Sequence, residues 1–308
     1  MIFRRPLLVA NPHAGPPRRR RALGTLLDSF LRRFPEGIVV RSLPETPLDL
    51  PKDRDLLVIY GGDGTVHRIA GLSPPPALPI LVLPGGTGNV LASHLGLSPF
   101  RFSPDSLWDR LPQARPYPVR LGLLGLRPFA LMAGAGWDGL AVRLVSGKSL
   151  LGTLAYYRAG LASLLSGDLP QFSVTLTLPD GQKLRINKVR WCLASRLPPY
   201  LGPFRITTEE APDSPLIHIT LVCGNRLGIV AAFAGLLPGV PAPLRPFSRI
   251  VRSVTFHESP GGSAIPFQAD GEGVPSAATL ETTGTVLTFL RFPPSGQDRR
   301  NSGVDGKN

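Results

Sequence analysis

Two glycine-rich turns hold the residues of this chain that are best suited to chemistry. The first is Gly61-Gly62-Asp63-Gly64-Thr65, and the second is Pro84-Gly85-Gly86-Thr87-Gly88-Asn89. Each follows a short apolar run and precedes a segment patterned as a helix, Val66 to Ala70 and Val90 to Leu95. Glycine lets the backbone approach a bulky phosphate, and a strand, turn and helix in this order aim backbone N–H groups at an anion. The two turns together, one of them with a carboxylate, indicate a nucleotide phosphate bound with a metal.

Acidic residues in two further turns extend this candidate site. The chain has only 21 acidic residues; Asp138 closes a Gly134–Asp138 turn, and Asp270 and Glu272 flank Gly271. Phosphoryl transfer needs Mg²⁺ held through carboxylates and substrate phosphates, and a carboxylate that orients or deprotonates the nucleophile. The three acidic turns supply these groups if they converge. An isolated Asp-Gly-Glu is more typical of an ordinary surface turn.

The elements that must position these residues differ between the two halves of the chain. From Leu7 to about Leu95, apolar strands alternate with helices, which predicts an α/β domain with a doubly wound parallel sheet. In such sheets ligands bind beyond the carboxyl ends of the strands, where the glycine turns lie. From residue 119 the pattern becomes that of antiparallel strands, with a hairpin turn at Asp180-Gly181 and a helical insertion around Leu150 to Leu165. We therefore expect an α/β domain over 1–118, with a linker near Ser98 to Pro118, a β-rich sandwich or barrel over 119–292, and a disordered tail over 293–308.

Composition limits the protein class. The formal net charge of +13 attracts anionic partners, but the sequence has no aromatic-basic interleaving or zinc-finger spacing that would indicate nucleic acid. Cys192 and Cys223 lie in apolar strand-like runs, which favours two buried thiols over a disulfide or a zinc site. The longest apolar run, Leu227 to Leu237, is too short for a membrane span. These features predict a cytoplasmic protein in peripheral contact with an anionic membrane surface, and they leave a homodimer open.

Six segments in the same order resemble the diacylglycerol kinase catalytic family, which includes bacterial lipid kinases and sphingosine kinases. Gly61 to Thr65 is similar to its GGDGT motif and Pro84 to Asn89 to its PxGTxN motif. The other four segments are Asn11 to Gly15, Gly134 to Asp138, Gly152 to Tyr156 and Ala269 to Glu272. GGDGT alone also occurs in NAD kinases, so the order and spacing of all six carry the resemblance.

The resemblance implies a two-domain kinase that transfers the γ-phosphate of ATP to a lipid hydroxyl with Mg²⁺. Carried onto this sequence, it implies nucleotide contacts by eight residues: Asn11, Gly61, Gly62, Gly64, Thr65, Gly86, Thr87 and Asn89. It implies catalytic roles for Asp63, Asp138, Asp270 and Glu272, three of which (Asp63, Asp138 and Glu272) would also hold the metal. The general base is Asp270 or Asp63, with Asp270 preferred.

Two departures from the family pattern stand out. Arg68 replaces a glutamate that many members carry three residues after the GGDGT threonine. Residues Pro212 to His218 replace a DGLLD-like run that resembles a structural Mg²⁺ site in some bacterial members. We expect that second, structural metal site to be absent and the ATP-linked Mg²⁺ to remain.

Diacylglycerol is the expected substrate, with a glycerophospholipid and a sphingoid base as alternatives. A soluble-substrate kinase of the NAD kinase and phosphofructokinase superfamily shares GGDGT but does not explain Pro84 to Asn89 with the late Asp270-Gly271-Glu272. A regulatory pseudokinase is disfavoured by the four acidic residues.

Overall fold

The computed structural model describes most of the chain. The described residues are 3–41, 50–51, 53–72, 74–75, 77–97, 103–145, 160, 162–164, 169–199, 204–205, 211–237, 240, 246–259 and 263–293. They divide into two compact units. The first lies within Met1–Gly61, Ala77–Tyr117 and Thr288–Asn308, and the second within Gly62–Pro76 and Pro118–Leu287.

Helices and strands alternate early in the chain, and strands dominate later. The helices are α1 (Pro17–Arg33), α2 (Asp63–Gly71), α3 (Val90–His94), α4 (Pro104–Arg110), α5 (Trp137–Val145) and α6 (Arg226–Gly235). The strands of the first half are β1 (Pro6–Ala10), β2 (Ile38–Arg41), β3 (Leu56–Gly61), β4 (Ile80–Pro84), β5 (Arg115–Leu124), β6 (Arg127–Phe129) and β7 (Met132–Gly136). Those of the second half are β8 (Phe172–Thr177), β9 (Lys183–Ser195), β10 (Ile217–Cys223), β11 (Phe247–Val251), β12 (Ser253–Glu258), β13 (Phe267–Ala269), β14 (Glu272–Val274) and β15 (Thr279–Arg291).

The first unit contains the predicted parallel sheet. Its strands lie in the order β4-β3-β1-β2, and each neighbouring pair is parallel. All five residues of β1 are buried, as expected for a strand of a parallel sheet covered on both faces. At the other end of the chain, Phe289 of β15 pairs in parallel with Ile80 of β4. The predicted α/β class of this region is confirmed.

The proline-rich stretch predicted as a linker is instead folded from residue 103 onward. Ser103 caps α4 by accepting the Ser106 N–H (3.3 Å), and Pro104 occupies the first helical turn, where its missing N–H costs nothing. Trp108 is buried, and its ring meets Phe30 edge-on at 5.8 Å. Its indole N–H donates to Ser29 Oγ (2.9 Å). The prolines therefore start a helix that packs on α1, so the linker prediction is wrong for these residues.

The second unit is the predicted β-rich region. Its strands follow the order β14-β13-β7-β9-β8-β12-β15, and β10 pairs with both β9 and β11. The pairings β13 with β7, β7 with β9, β9 with β8 and β8 with β12 are all antiparallel. The Asp180-Gly181 turn joins β8 to β9, with Gly181 at φ +90°. The antiparallel class of this half is confirmed.

Two other expectations have different outcomes. Most of the predicted helical insertion, and the whole Gly152 to Tyr156 segment, lie outside the described residues, as does the tail from residue 294. Cys192 is buried as expected, but Cys223 is exposed. A register shift between Val222 and Cys223 interrupts the in-out alternation of β10, so the prediction of a second buried thiol is wrong. None of the helices in the described part of the chain is both long and apolar enough to cross a bilayer.

Candidate active site

The first glycine turn starts α2 at the end of β3. Gly62 is the extended N-cap residue of α2, and its carbonyl accepts the N–H groups of Thr65 (3.0 Å) and Val66 (3.2 Å). Asp63 lies in the first turn of the helix, where a negative charge is favoured by the helix dipole. Thr65 is buried, while Asp63 is partly exposed. The turn therefore presents a carboxylate and the positive end of a nine-residue helix together.

Gly64 brings the late acidic motif to this helix end. A Cβ atom at Gly64 would lie 3.2 Å from Glu272 Oε1, a tight contact, so the Glu272 carboxylate lies directly beside Gly64. Glu272 is the first residue of β14 and is exposed. The structure therefore brings Glu272 to the first turn of α2, the turn that Asp63 opens, although the two acids are far apart in the sequence.

Asp270 and Gly271 form the two-residue loop of a tight hairpin between β13 and β14. Ala269 pairs with Glu272, and the two loop residues have φ values of +48° and +86°. Positive φ at both positions is typical of the type I′ turn, for which Asp-Gly is a preferred sequence. The motif is thus a hairpin turn, as its composition suggested, but Asp270 is only 9% exposed.

The Asp270 carboxylate is saturated with hydrogen bonds. Oδ2 accepts the Ala130 N–H (2.8 Å), and Oδ1 accepts the Leu131 and Met132 N–H groups (both 2.9 Å). Nδ1 of the buried His67, in α2, lies 3.3 Å from Oδ2. An ionised carboxylate offers about four acceptor positions, and these four contacts use them. Asp270 therefore anchors the hairpin to α2 and to the loop before β7.

Asp138 is held by a glutamine that the sequence reasoning missed. Asp138 is 4% exposed, and its Oδ2 accepts the side-chain N–H of Gln268 (2.5 Å). Gln268 is also buried, and its Oε1 accepts the Gly271 N–H (2.9 Å). Gln268 therefore connects Asp138 to the Asp270-Gly271 turn. Burial, and secondarily the charge of Asp138, raise the pKa of the neighbouring Cys192 thiol to about 12.

The second glycine turn, in the first unit, is closed by its own asparagine. Asn89 is buried with φ +51°; its Oδ1 accepts the Gly86 N–H (2.8 Å) and its Nδ2 donates to the Gly86 carbonyl (2.7 Å). Thr87 and Gly88 between them are exposed. The side chain that the sequence assigned to the nucleotide thus shapes the loop, and Thr87 lies at its exposed tip. The following helix, α3, has only five residues, so its end contributes less charge than that of α2.

Three glycines pack backbone to backbone beside this loop. The Gly85 N–H donates to the Gly61 carbonyl (2.8 Å), and a Cβ at Gly85 would lie 2.9 Å from Gly61 N. A Cβ at Gly15, which has φ +69°, would lie 2.3 Å from the Gly85 carbonyl oxygen. Nearby, Asn11 Oδ1 accepts the His13 N–H (3.0 Å). Gly15, Gly61 and Gly85, which come from three different motif segments, therefore meet at the carboxyl ends of the strands of the first unit.

Arg19 is a second residue that sequence reasoning missed, because it belongs to none of the six motif segments. Its guanidinium donates to the Gly86 carbonyl, and its own carbonyl accepts the Tyr60 hydroxyl (2.8 Å). Burial lowers the pKa of Arg19 and raises that of Tyr60. A partly buried cation beside a phosphate-type loop is a signal that only the fold reveals.

The altered Pro212 to His218 segment is held by a buried arginine. Arg196 is 5% exposed; it donates to the carbonyls of Pro212 and Ser214 (both 2.7 Å), to that of Arg120 (2.9 Å) and to that of Leu216. Burial and then the charge of Arg120, opposed by Asp213, lower its pKa to about 10, so it remains protonated at neutral pH. A side-chain cation therefore binds the carbonyls of the segment where the resemblance predicted a lost metal site.

The donor set for the ATP-linked metal is limited. Among the described residues there is no group of three or more His, Cys, Asp or Glu side chains that could hold a metal ion. Mg²⁺ is commonly bound through one or two carboxylates together with substrate phosphates and waters. Asp63 and Glu272 supply carboxylate oxygens of this kind at α2. Direct ligation by Asp138 stays a prediction, since that carboxylate is buried against Gln268.

Residues 5–124 match the model of the diacylglycerol kinase catalytic domain. This part of the chain is therefore similar to the catalytic domain of diacylglycerol kinases. The match contains both glycine turns and the Asn11 to Gly15 segment. The match ends before Asp138 and the Asp270-Gly271-Glu272 hairpin, so the assignment of those residues to the site depends on the geometry described above.

Curated proteins are similar over part of the chain. A Staphylococcus aureus (strain MRSA252) protein named "Putative lipid kinase SAR0780" is 31% identical over 105 residues, which cover 30% of this chain and 34% of that protein. The corresponding protein of strain N315 matches equally. The chain thus spans about a third of the length of the curated relatives it matches. A solved diacylglycerol kinase from Bacillus anthracis str. Sterne has a TM-score of 0.71 at 19% identity, covering 95% of this chain and 99% of that one. At this identity the likeness shows a shared fold.

Proposed function

We propose that this protein is a lipid kinase that uses ATP and Mg²⁺ to phosphorylate a hydroxyl group of a lipid, with diacylglycerol as the expected acceptor. The family match over residues 5–124 supports a kinase, and the names of the curated relatives support a lipid as acceptor. The observation that carries the proposal is the hairpin at Asp270-Gly271. Through His67 and Asp270 it is joined to α2, and it brings the exposed Glu272 to the first turn of that helix.

Nucleotide phosphates are expected at the glycine turns. The first turn of α2 offers the positive end of a helix, which favours anions. In the first unit, Gly15, Gly61 and Gly85 pack backbone against backbone, too closely for a side chain at Gly15 or Gly85. Thr87 adds an exposed hydroxyl, and Arg19 lies at the Gly86 carbonyl. We assign phosphate contacts to these groups, and loop shaping to Asn89 and Asn11.

Glu272 is the general base in this proposal. Its carboxylate is exposed, whereas the carboxylate of Asp270 has its acceptor positions occupied by three backbone N–H groups and His67. The lipid hydroxyl oxygen attacks the γ-phosphorus, the bond to the bridging oxygen of ADP breaks, and the hydroxyl proton passes to Glu272. Asp270 acts as a positioning residue that fixes the hairpin on which Glu272 lies.

Asp63 is the expected magnesium ligand, with Glu272 close to the same helix turn. A bound Mg²⁺ would neutralise the charge of the transferred phosphoryl group and of the ADP leaving group. The partial exposure of Asp63 leaves room for phosphate oxygens and waters to complete the shell. Asp138 supports the site indirectly by orienting Gln268, which in turn binds the Gly271 N–H.

Labelled ATP tests the proposal directly. The purified protein is incubated with γ-labelled ATP, Mg²⁺ and a panel of diacylglycerol, glycerophospholipid and sphingoid base in mixed micelles, with NAD and sugars as soluble acceptors. We expect label on a lipid. Label confined to NAD or to a sugar would assign the protein to the soluble-substrate class instead.

A matched pair of variants tests the role of Glu272. Glu272→Gln removes the base without changing shape and should lower turnover by ~10²–10⁴-fold, the usual contribution of a general base. Glu281→Gln, at another exposed glutamate of the same unit, should keep the parent rate. Equal turnover rates for the two variants would show that Glu272 takes no part in the chemistry.

A further inference from the structure

One helix of the second unit has an apolar outer face. Towards the interior, α6 buries Ile229 and Ala232, and the Phe233 ring packs against the rings of Trp137 (5.8 Å) and Phe204 (4.0 Å). The residues on its other side are exposed and apolar: Leu227, Val230, Ala231, Ala234 and, just beyond the helix, Leu237. Leu227 is 76% exposed and Val230 51%. We call these five residues the α6 outer face.

This arrangement differs from that of an ordinary surface helix, which places charged or polar side chains on its outer side. Apart from Arg226 at its start, α6 contains no charged residue. The spacing of the α6 outer face, i, i+3, i+4 and i+7 from Leu227, forms one continuous stripe along the helix. A contiguous exposed apolar surface indicates an interaction site.

The sequence around α6 is basic, which favours an anionic partner. No Asp or Glu occurs between Pro215 and His257, whereas this stretch contains arginines at 226, 245, 249 and 252. The neighbouring strand β11, which pairs with β10, also exposes Phe247 and Ile250. The Arg249 guanidinium lies 4.9 Å from the centroid of the Phe247 ring. Exposed apolar side chains in a stretch that has arginines and no carboxylates match the interface of an anionic bilayer.

We propose that the α6 outer face docks the protein on the surface of an anionic membrane. Leu227 and Val230 enter the boundary between head groups and acyl chains, and Arg226 and Arg249 contact the lipid phosphates. The helix lies on the membrane and does not cross it. This inference rests on the proposed lipid kinase function, because it brings the enzyme to the phase that contains its substrate.

Vesicle binding by the full chain tests the docking surface. Co-sedimentation is measured with phosphatidylcholine vesicles, with and without phosphatidylglycerol, for the parent protein and for the double variant Leu227→Asp with Val230→Asp. We expect binding to the phosphatidylglycerol vesicles that weakens with added salt, and a loss of at least about tenfold in the variant, since each removed apolar side chain gives up most of its burial energy. If vesicle binding did not change when the NaCl concentration was raised, the proposed role of the arginines would be contradicted.

Leu126→Asp is the matched control. Leu126 is 94% exposed in the turn between β5 and β6 of the same unit. The control therefore tests whether an exposed leucine outside α6 contributes to vesicle binding. The control should bind like the parent, and all variants should keep the parent melting temperature. Equal losses in the control and in the α6 variant, or no loss in either, would overturn the proposal. Unchanged vesicle binding together with a dimer that becomes a monomer would assign the α6 outer face to a second copy of the chain.

Activity measurements separate this inference from the proposed function. With a short-chain, water-soluble diacylglycerol the α6 variant should keep the parent turnover, because Leu227 and Val230 are not part of the catalytic machinery. With diacylglycerol in anionic vesicles its rate should fall in step with binding. Vesicle binding that depends on α6 in a protein that phosphorylates no lipid would refute the kinase proposal alone. Lipid phosphorylation that is indifferent to the α6 variant in both assays would refute the docking surface alone.

Discussion

Replacing Asp270 by asparagine should destabilise the protein rather than remove its catalytic base. The carboxylate accepts the Ala130 N–H at Oδ2 and the Leu131 and Met132 N–H groups at Oδ1. An asparagine has a single acceptor oxygen in the same place. The more favourable orientation of the asparagine amide keeps the two hydrogen bonds at Oδ1 and turns its NH₂ group towards the Ala130 N–H. The buried Ala130 N–H then faces another donor and has no acceptor.

The size of the effect follows from this count. A buried N–H left without an acceptor costs ~1–3 kcal/mol, and Ala130 is 1% exposed, so water does not replace the lost acceptor. Since 1 kcal/mol shifts the melting temperature by ~2–4 °C for a protein of 150–250 residues, we expect a fall of roughly 2–12 °C. The reverse orientation would leave two N–H groups unpaired and cost more.

Thermal unfolding without nucleotide, followed by circular dichroism, measures this change. Turnover is then determined well below the melting temperature of each variant. Asp270→Asn should lower the melting temperature and keep part of the turnover. Glu272→Gln, at an exposed position, should leave the melting temperature unchanged and lower turnover by ~10²–10⁴-fold. An unshifted melting temperature in Asp270→Asn combined with lost turnover would refute the positioning role and return the base to Asp270.

Three further predictions concern other parts of the chain. EDTA should leave the melting temperature of the nucleotide-free protein unchanged, because Arg196 binds the carbonyls of residues 212–216; a fall in melting temperature with EDTA would indicate a bound metal. Arg196→Ala should lower the free energy of unfolding by ~3 kcal/mol or more, since each hydrogen bond to a charged donor contributes ~1.5–3 kcal/mol. Asn89→Ala should raise the KM for ATP and lower the melting temperature, because it removes both hydrogen bonds to Gly86 and places alanine at φ +51°. An unchanged KM would show that this loop does not bind the nucleotide. A thiol reagent should modify the exposed Cys223 in the native protein and should reach the buried Cys192 only after unfolding. The rate at Cys223 should rise with pH as the thiolate forms, and at higher pH than for an ordinary thiol, because partial desolvation raises the pKa of Cys223. Modification of two thiols in the native state would contradict the burial of Cys192.

Local patterns predicted the elements well. Continuous apolar runs marked β1, β3 and β4, because a parallel strand covered on both faces has no polar alternation. The Asp180-Gly181 turn was visible because positive φ restricts the residue types that a tight turn accepts. Proline is ambiguous at residues 103–118, because the same residue type can end a helix or start one. Only the burial of Trp108 in the folded protein distinguishes the two cases.

Side-chain roles within the site were less predictable. Asp270 stands in an acidic motif, and its residue type gives no sign that three N–H groups of residues 130–132 surround it. Gln268 and Arg19 belong to no motif, yet Gln268 links Asp138 to the hairpin and Arg19 binds the Gly86 carbonyl. Apart from the bond between Gln268 and Gly271, these contacts join residues more than sixty positions apart, which spacing along the chain does not encode.

By itself, the sequence determined the two fold classes, the glycine turns at the strand ends and the acidic residues available for chemistry. These features depend on hydrophobic period and on backbone conformations that few residue types permit, so neighbouring residues suffice to specify them. Only the tertiary structure decided which acid is saturated and which is exposed, and which face of the apolar α6 is buried. Hydrogen-bond saturation and burial are set by the long-range partners that folding brings together, so Asp270 became an anchor and Glu272 the candidate base.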